Sequence, residues 1–302
     1  PDIDLSYLSG YTKRNDNEAF AFALRYFTLG KITFTDAQGI NQGSFNPNEL
    51  ALSSTYARKL TDNMSTAIAL RYIYSNLTGG QQVGTLPTEP GQSVAGDVAA
   101  FYMKPIRLGS QDADLSIGLN ISNIGSKIAY TETTTRDFIP TNMRFGTALT
   151  TSIDDYNKIS FEVDLNKLLV PTPPLYNSDG EIIAGMNPDV SVVSGIFQSF
   201  GDAPGGAKEE LREIIYSLGT EYWYDEQFAV RAGYFHEAPT KGDRQFFSLG
   251  AGLRYNVFGL DFSYLIPVRS RDEAGAVNPL SNTLRFALTF DFGAMQEQEI
   301  IP

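Results

Sequence analysis

The sequence predicts an all-β fold, a transmembrane antiparallel up-and-down β-barrel of about 14 strands, about 13 of them in this chain. Three observations carry that prediction. Long segments alternate strictly between apolar and polar residues, the mark of a strand with one apolar and one polar face. In the hairpin Gln245 to Val268, Phe247, Leu249, Ala251, Leu253 and Tyr255 oppose Ser248, Gly250, Gly252 and Arg254. After a turn at Asn256 to Gly259, Leu260, Phe262, Tyr264 and Ile266 oppose Asp261 and Ser263. These strands run to about ten residues, the span of a tilted transmembrane strand, and glycine, serine and arginine opposite rings suit a wet lumen. The second observation is that the connections alternate short and long along the chain, as in a barrel with tight periplasmic turns and longer external loops. The third is a mean hydropathy of −0.18 with no long apolar run, which excludes helical membrane spans but not strands whose polar faces dilute the signal.

The strands follow in order. Asp2 to Tyr11 has Ile3, Leu5 and Tyr7 on one face. After the turn Lys13 to Asn17, Phe20, Phe22, Leu24 and Tyr26 oppose Ala19, Ala21, Ala23 and Arg25, in a strand expected to pass a kink at Gly30 and reach Phe34. The third and fourth strands carry Leu50, Leu52 and Tyr56, then Ile68, Leu70, Tyr72 and Tyr74 with Arg71 inward. The fifth, Val94 to Lys104, has the least regular alternation, and the sixth is Asp114 to Asn123. Met143, Phe145 and Leu149 mark the seventh, and Ile159, Phe161, Val163 and Leu165 the eighth. Beyond a break at 167–213 come Tyr216 to Tyr224, Phe228 to Tyr234, the hairpin above and a final strand, Asn282 to Gly293. Residues 1–293 thus form the barrel, with 167–213 as an extracellular insert and 294–302 as a periplasmic C-terminal tail. An odd count of about 13, set against the even numbers of single-chain bacterial barrels, leads us to expect at least one further strand before Pro1.

Composition narrows the function. The net charge of −12 and a pI near 4.6 argue against a nucleic-acid binder, which needs a basic footprint. Without cysteine there is no zinc–thiolate site. No residue spacing implies a metal or another cofactor, and Asp154-Asp155 and Asp225-Glu226 read as turn residues. His236, the only histidine, has no defined spacing to a nucleophile and reads as a surface residue, so no catalytic residue is assigned. The inward faces carry Arg25, Arg71, Arg144, Arg231, Arg254 and Arg285 against Asp97, Glu162, Asp164, Glu221, Asp261 and Asp291. Mixed signs could line a selective pore. Ion-pair networks bracing the lumen are the stronger reading, because isolated charges in a confined interior are costly.

The insert departs from barrel patterning. Pro171-Thr172-Pro173-Pro174 cannot continue a central strand, and Val190 to Phe200 and Ala207 to Ile214 are predicted as short helices. Val193, Ile196, Phe197 and Phe200 either pack down as a lid over the barrel mouth or present an apolar surface to a partner. The same insert carries a resemblance, through Pro188-Asp189-Val190-Ser191, Gly195 to Phe200, Asp202 to Gly206 and Glu209-Glu210-Leu211. With Asp4 to Tyr11 and Leu24 to Gly30, it resembles the PorV (LptO) family of the type IX secretion system of Bacteroidota, a branch of the FadL-like barrels. The resemblance implies a non-enzymatic shuttle in the Gram-negative outer membrane, in contact with its lipid and lipopolysaccharide. Its implied partners are the giant translocon barrel SprA (Sov), secreted cargo proteins bearing a C-terminal signal domain, and the surface attachment complex. FadL relatives also carry an N-terminal plug, which is expected before Pro1 together with the further strand. Transport of hydrophobic small molecules, or the lipid A deacylase activity that the family's second name suggests, are the competing readings.

Overall fold

The computed structural model describes residues 3–35, 38–80, 82–83, 86–131, 136–269 and 283–290. Among the described residues, thirteen antiparallel strands form one sheet, each hydrogen-bonded to its neighbours in the sequence of wall strands. They are β1 (Asp4–Asn15), β2 (Glu18–Thr28), β3 (Asn48–Lys59), β4 (Met64–Asn76), β5 (Gly91–Leu108), β6 (Gln111–Gly125) and β7 (Asn142–Ser152), followed by β8 (Asn157–Leu168), β9 (Ile214–Tyr224), β10 (Phe228–His236), β11 (Gln245–Tyr255), β12 (Phe258–Pro267) and β13 (Leu284–Phe290). The count of 13 agrees with the sequence expectation, as does the order in which every strand pairs with the next. Asp291 and the tail 294–302 lie outside the described residues.

Alternation in the sequence becomes alternation in exposure. On β11, Phe247 (51%), Leu249 (53%) and Tyr255 (66%) stand exposed, whereas Ser248, Gly250 and Arg254 are half-buried and Gly252 is buried. A water-soluble sheet would do the reverse. An apolar face left outermost, with glycine and charge turned away from it, is the arrangement that a lipid solvent selects. Registers fix the faces strand by strand: Arg25 lies opposite Ala51, and Ser53 opposite Arg71, all on the polar face. Tyr7 lies opposite Arg25 and therefore shares that face, with the guanidinium 5.8 Å from the ring centroid.

Short turns close one end of each hairpin. Asp225 and Glu226 both take positive φ (50° and 52°), the geometry of a type I′ turn, whose twist matches that of the flanking strands. At the other end the loops hold structure that alternation does not reveal. Gly30, with φ 76°, ends β2 at Thr28 instead of letting it run to Phe34. Residues Ile32–Thr35 pair instead with Asn41–Phe45 in a separate hairpin. Leu175–Tyr176 and Ile182–Ala184 make another hairpin within the insert. The predicted helices are present but shorter, as α1 (Val192–Gln198) and α2 (Ala207–Arg212).

By internal contact the chain divides into two units. One comprises Pro1–Phe101, Leu119–Met143 and Leu168–Ala207; the other comprises Tyr102–Gly118, Arg144–Lys167 and Lys208–Pro302. The first has a small core of Ala95, Ile128 and Ile139, with Ile73 and Tyr130 packed against it. In the second, Ala113, Ala229, Ala238 and Leu265 are buried, alongside the polar Lys167 and Glu237.

Candidate functional site

In the first unit, α1 sits on a prepared seat. Ser191 caps it, its hydroxyl accepting from the Ser194 amide at 3.2 Å. Gly195 is the buried residue of the helix, and a Cβ added there would lie 2.8 Å from Phe138 Cε1 and 3.1 Å from Pro171 Cδ. Only a glycine lets the helix backbone approach this ring so closely. Lys127 covers the Phe138 ring with its ammonium 4.3 Å from the centroid, and pairs with Asp189 at 3.4 Å. A second anchor follows the helix: Asp202, fully buried, accepts from the Thr172 amide at 3.1 Å.

With Gly195 down, the positions at i, i+4 and i+7 on the opposite side face solvent. Val193 (61%), Phe197 (75%) and Phe200 (51%) form an exposed apolar stripe, while Ile196 is half-buried. Leu175, Tyr176, Ile183 and Met186 of the same insert are exposed as well. The four singled-out residues therefore separate: Ile196 belongs partly to the packing, and the other three to the surface.

In the second unit α2 is held by charge. Lys167, at the end of β8 and only 6% exposed in its side chain, reaches Glu210 at 3.1 Å and Glu213 at 2.7 Å. Lys241 reaches Glu209 at 2.7 Å and the other oxygen of Glu213 at 2.9 Å. Glu213 is shared, so both lysines and three carboxylates make one clamp. Lys167→Ala should free α2 at a cost of about 3 kcal/mol, since it leaves two shielded carboxylates short of a cation. New protease cleavage within 207–213, with the strands intact, is the expected readout. Burial pushes the Lys241 ammonium down, but hydrogen bonds and charge from Glu209 and Glu213 outweigh it and hold the group above its ordinary 10.5. A raised pKa in the folded state means that its contribution is complete below pH 10.5 and fades as pH climbs through the folded value. Cleavage at the same segment should therefore stay constant from neutral pH up to 10.5 and rise above it.

The charged residues of the polar face are partly brought together. Arg71 donates to Asp97 at 2.6 Å, to Ser53 at 3.0 Å and to Asn123. Arg231 donates to Glu221 at 2.5 Å and to Asp261 at 2.7 Å, and Arg254 to Asp261 at 2.8 Å. Both guanidiniums flank Trp223, at 5.4 and 5.5 Å from its ring. Arg144, Glu162, Asp164 and Arg285 make no ion pair among the described residues. His236 sits on the apolar face with its Nδ1 3.3 Å from the Tyr234 hydroxyl and its ring beside Tyr216.

Long antiparallel strands with an exposed apolar face, a braced polar face and structured loops at one end define a transmembrane β-barrel protein. The chain belongs to the PorV family: the family model for "Type IX secretion system protein PorV" matches residues 1–175, more than half of it. It is accordingly a type IX secretion component. No curated protein matches the sequence. Among solved structures, it is similar to the crystal structure of the Ralstonia pickettii toluene transporter TbuX. The identity there is 8%, over 91% of this chain and 76% of that one, with a TM-score of 0.39.

Proposed function

We propose that the chain is a non-enzymatic carrier of the outer membrane, one that binds a SprA (Sov)-like translocon and secreted cargo proteins and passes them to the attachment machinery. Family membership supplies the secretion context. The observation that carries the binding role is the stripe of Val193, Phe197 and Phe200. Exposed apolar residues on a mobile loop would signify little; here the seat under Gly195 fixes their geometry before any partner arrives. A preformed aromatic patch avoids much of the ordering cost of association. The polar face contributes stability, and the apolar face lets the carrier diffuse in the bilayer.

Affinity capture on tagged protein from cells that secrete through this system tests the reading. A giant barrel and proteins with a shared C-terminal domain should be recovered together with the carrier. Recovery of neither sinks the proposal.

A further inference from the structure

The first unit carries a cluster that the carrier reading does not use, at the short-turn end of β1 to β3. Glu18 opens β2 and lies opposite Arg58 of β3 in register. One of its oxygens accepts from the Tyr56 hydroxyl at 2.9 Å and lies 3.9 Å from Arg58 Nη1; the other accepts from Arg14 at 3.3 Å and Asn15 at 3.2 Å. The register of β1 shifts between Lys13 and Asn15, placing Arg14 in a bulge, a device that re-aims a side chain. Two residues further along β2, Phe20 faces Tyr56 in register, with ring centroids 5.2 Å apart, on the exposed apolar face.

The cluster is thus two arginines around one carboxylate, set where the apolar face meets the short turns. Glu18 is shielded, with 14% of its side chain exposed, but Arg14 and Arg58 remain 67% and 57% exposed. A guanidinium has five N–H donors, and a single carboxylate cannot satisfy two such forks. The group keeps a net positive charge and unused donors just below an aromatic pair, the level at which a bilayer places its phosphates.

We propose that Arg14 and Arg58 bind the phosphodiester of a glycerophospholipid in the periplasmic leaflet, with its acyl chains against the exposed face beside Phe20. Glu18 positions the two guanidiniums and limits the affinity by competing for them. The proposal rests on the membrane-embedded part of the carrier reading, and not on its partners.

Phosphatidylglycerol is titrated into the purified full chain in detergent, and retained lipid is counted by native mass spectrometry. R14Q/R58Q should weaken retention of the tightest lipid about tenfold. E18Q should strengthen it, an effect that a merely structural role would not give. Both variants must keep the heat-modifiable electrophoretic shift of a folded barrel. Equal retention by the wild type and both variants overturns the proposal. So does full displacement of the lipid by millimolar inorganic phosphate, which would make this a site for the free ion. Protein that fails to enter phosphatidylglycerol nanodiscs overturns the membrane reading as well, whereas failed partner capture with normal lipid retention overturns only the carrier role.

Discussion

Phe197→Asp with Phe200→Asp is expected to abolish partner capture while leaving the barrel folded. Phe197 is mostly in solvent and Phe200 about half so, and their loss removes only part of the packing of the isolated chain. In a complex they would be desolvated anchors, and truncating such an anchor costs about 2 kcal/mol or more, roughly thirtyfold in affinity for each. Aspartate adds the cost of burying a charge against an apolar partner. Capture should therefore drop below detection, with heat modification unchanged. A companion variant separates the patch from its seat. Gly195→Val keeps both phenylalanines but drives a side chain into the Phe138 ring, so α1 must move. Weaker capture by this variant would show that the position of the stripe matters as well as its composition. Capture unchanged in both would reduce α1 to a lid.

The wall was legible because its code is local. Period-two alternation in 245–268 translates directly into exposure, and the spacing of turns gave the strand order without any knowledge of long-range contacts. Where one residue breaks that code, the reading failed: Gly30 looked like a kink inside a strand, but its positive φ ends β2 and starts a separate hairpin. The stripe on α1 was half legible. Val193, Phe197 and Phe200 share one side by spacing alone, yet which side packs is decided by Gly195 meeting Phe138, 57 positions earlier, taking the difference of 195 and 138. The α2 clamp was not legible at all. Nothing in the sequence around Lys167 or Lys241 links the two, and their shared partner Glu213 becomes visible only when β8 and β9 are set side by side.

Gly250-Ala251-Gly252 shows the same limit, and it leads to the second large effect. In sequence the two glycines merely continue the polar face of β11. In the structure Gly250 lies opposite Arg231 of β10 and Gly252 opposite Asp261 of β12. A Cβ at Gly252 would stand 2.7 Å from Asp261 Oδ1 and 2.9 Å from Arg231 Nη1. The glycines leave the lane through which Arg231 crosses β11, so one guanidinium ties β9, β10 and β12 together. Arg231→Met should loosen the wall. It strips Glu221 of its pair and leaves Asp261 with Arg254 alone. Breaking a buried pair from one side costs about 3–5 kcal/mol; these groups keep a quarter to a third of their side-chain exposure, so about 2 kcal/mol is expected after solvent screening. The measurement is the midpoint of heat modification in detergent, which should fall by several degrees. Gly252→Val leaves every charge in place and wedges the lane shut, so it should lower the midpoint in the same way. Combined with Arg231→Met it should add little, because the second change removes a contact already lost. Full additivity of the two, or a midpoint unmoved by Arg231→Met, would mean that the guanidinium is no brace, and would return it to the role of a charge lining a pore.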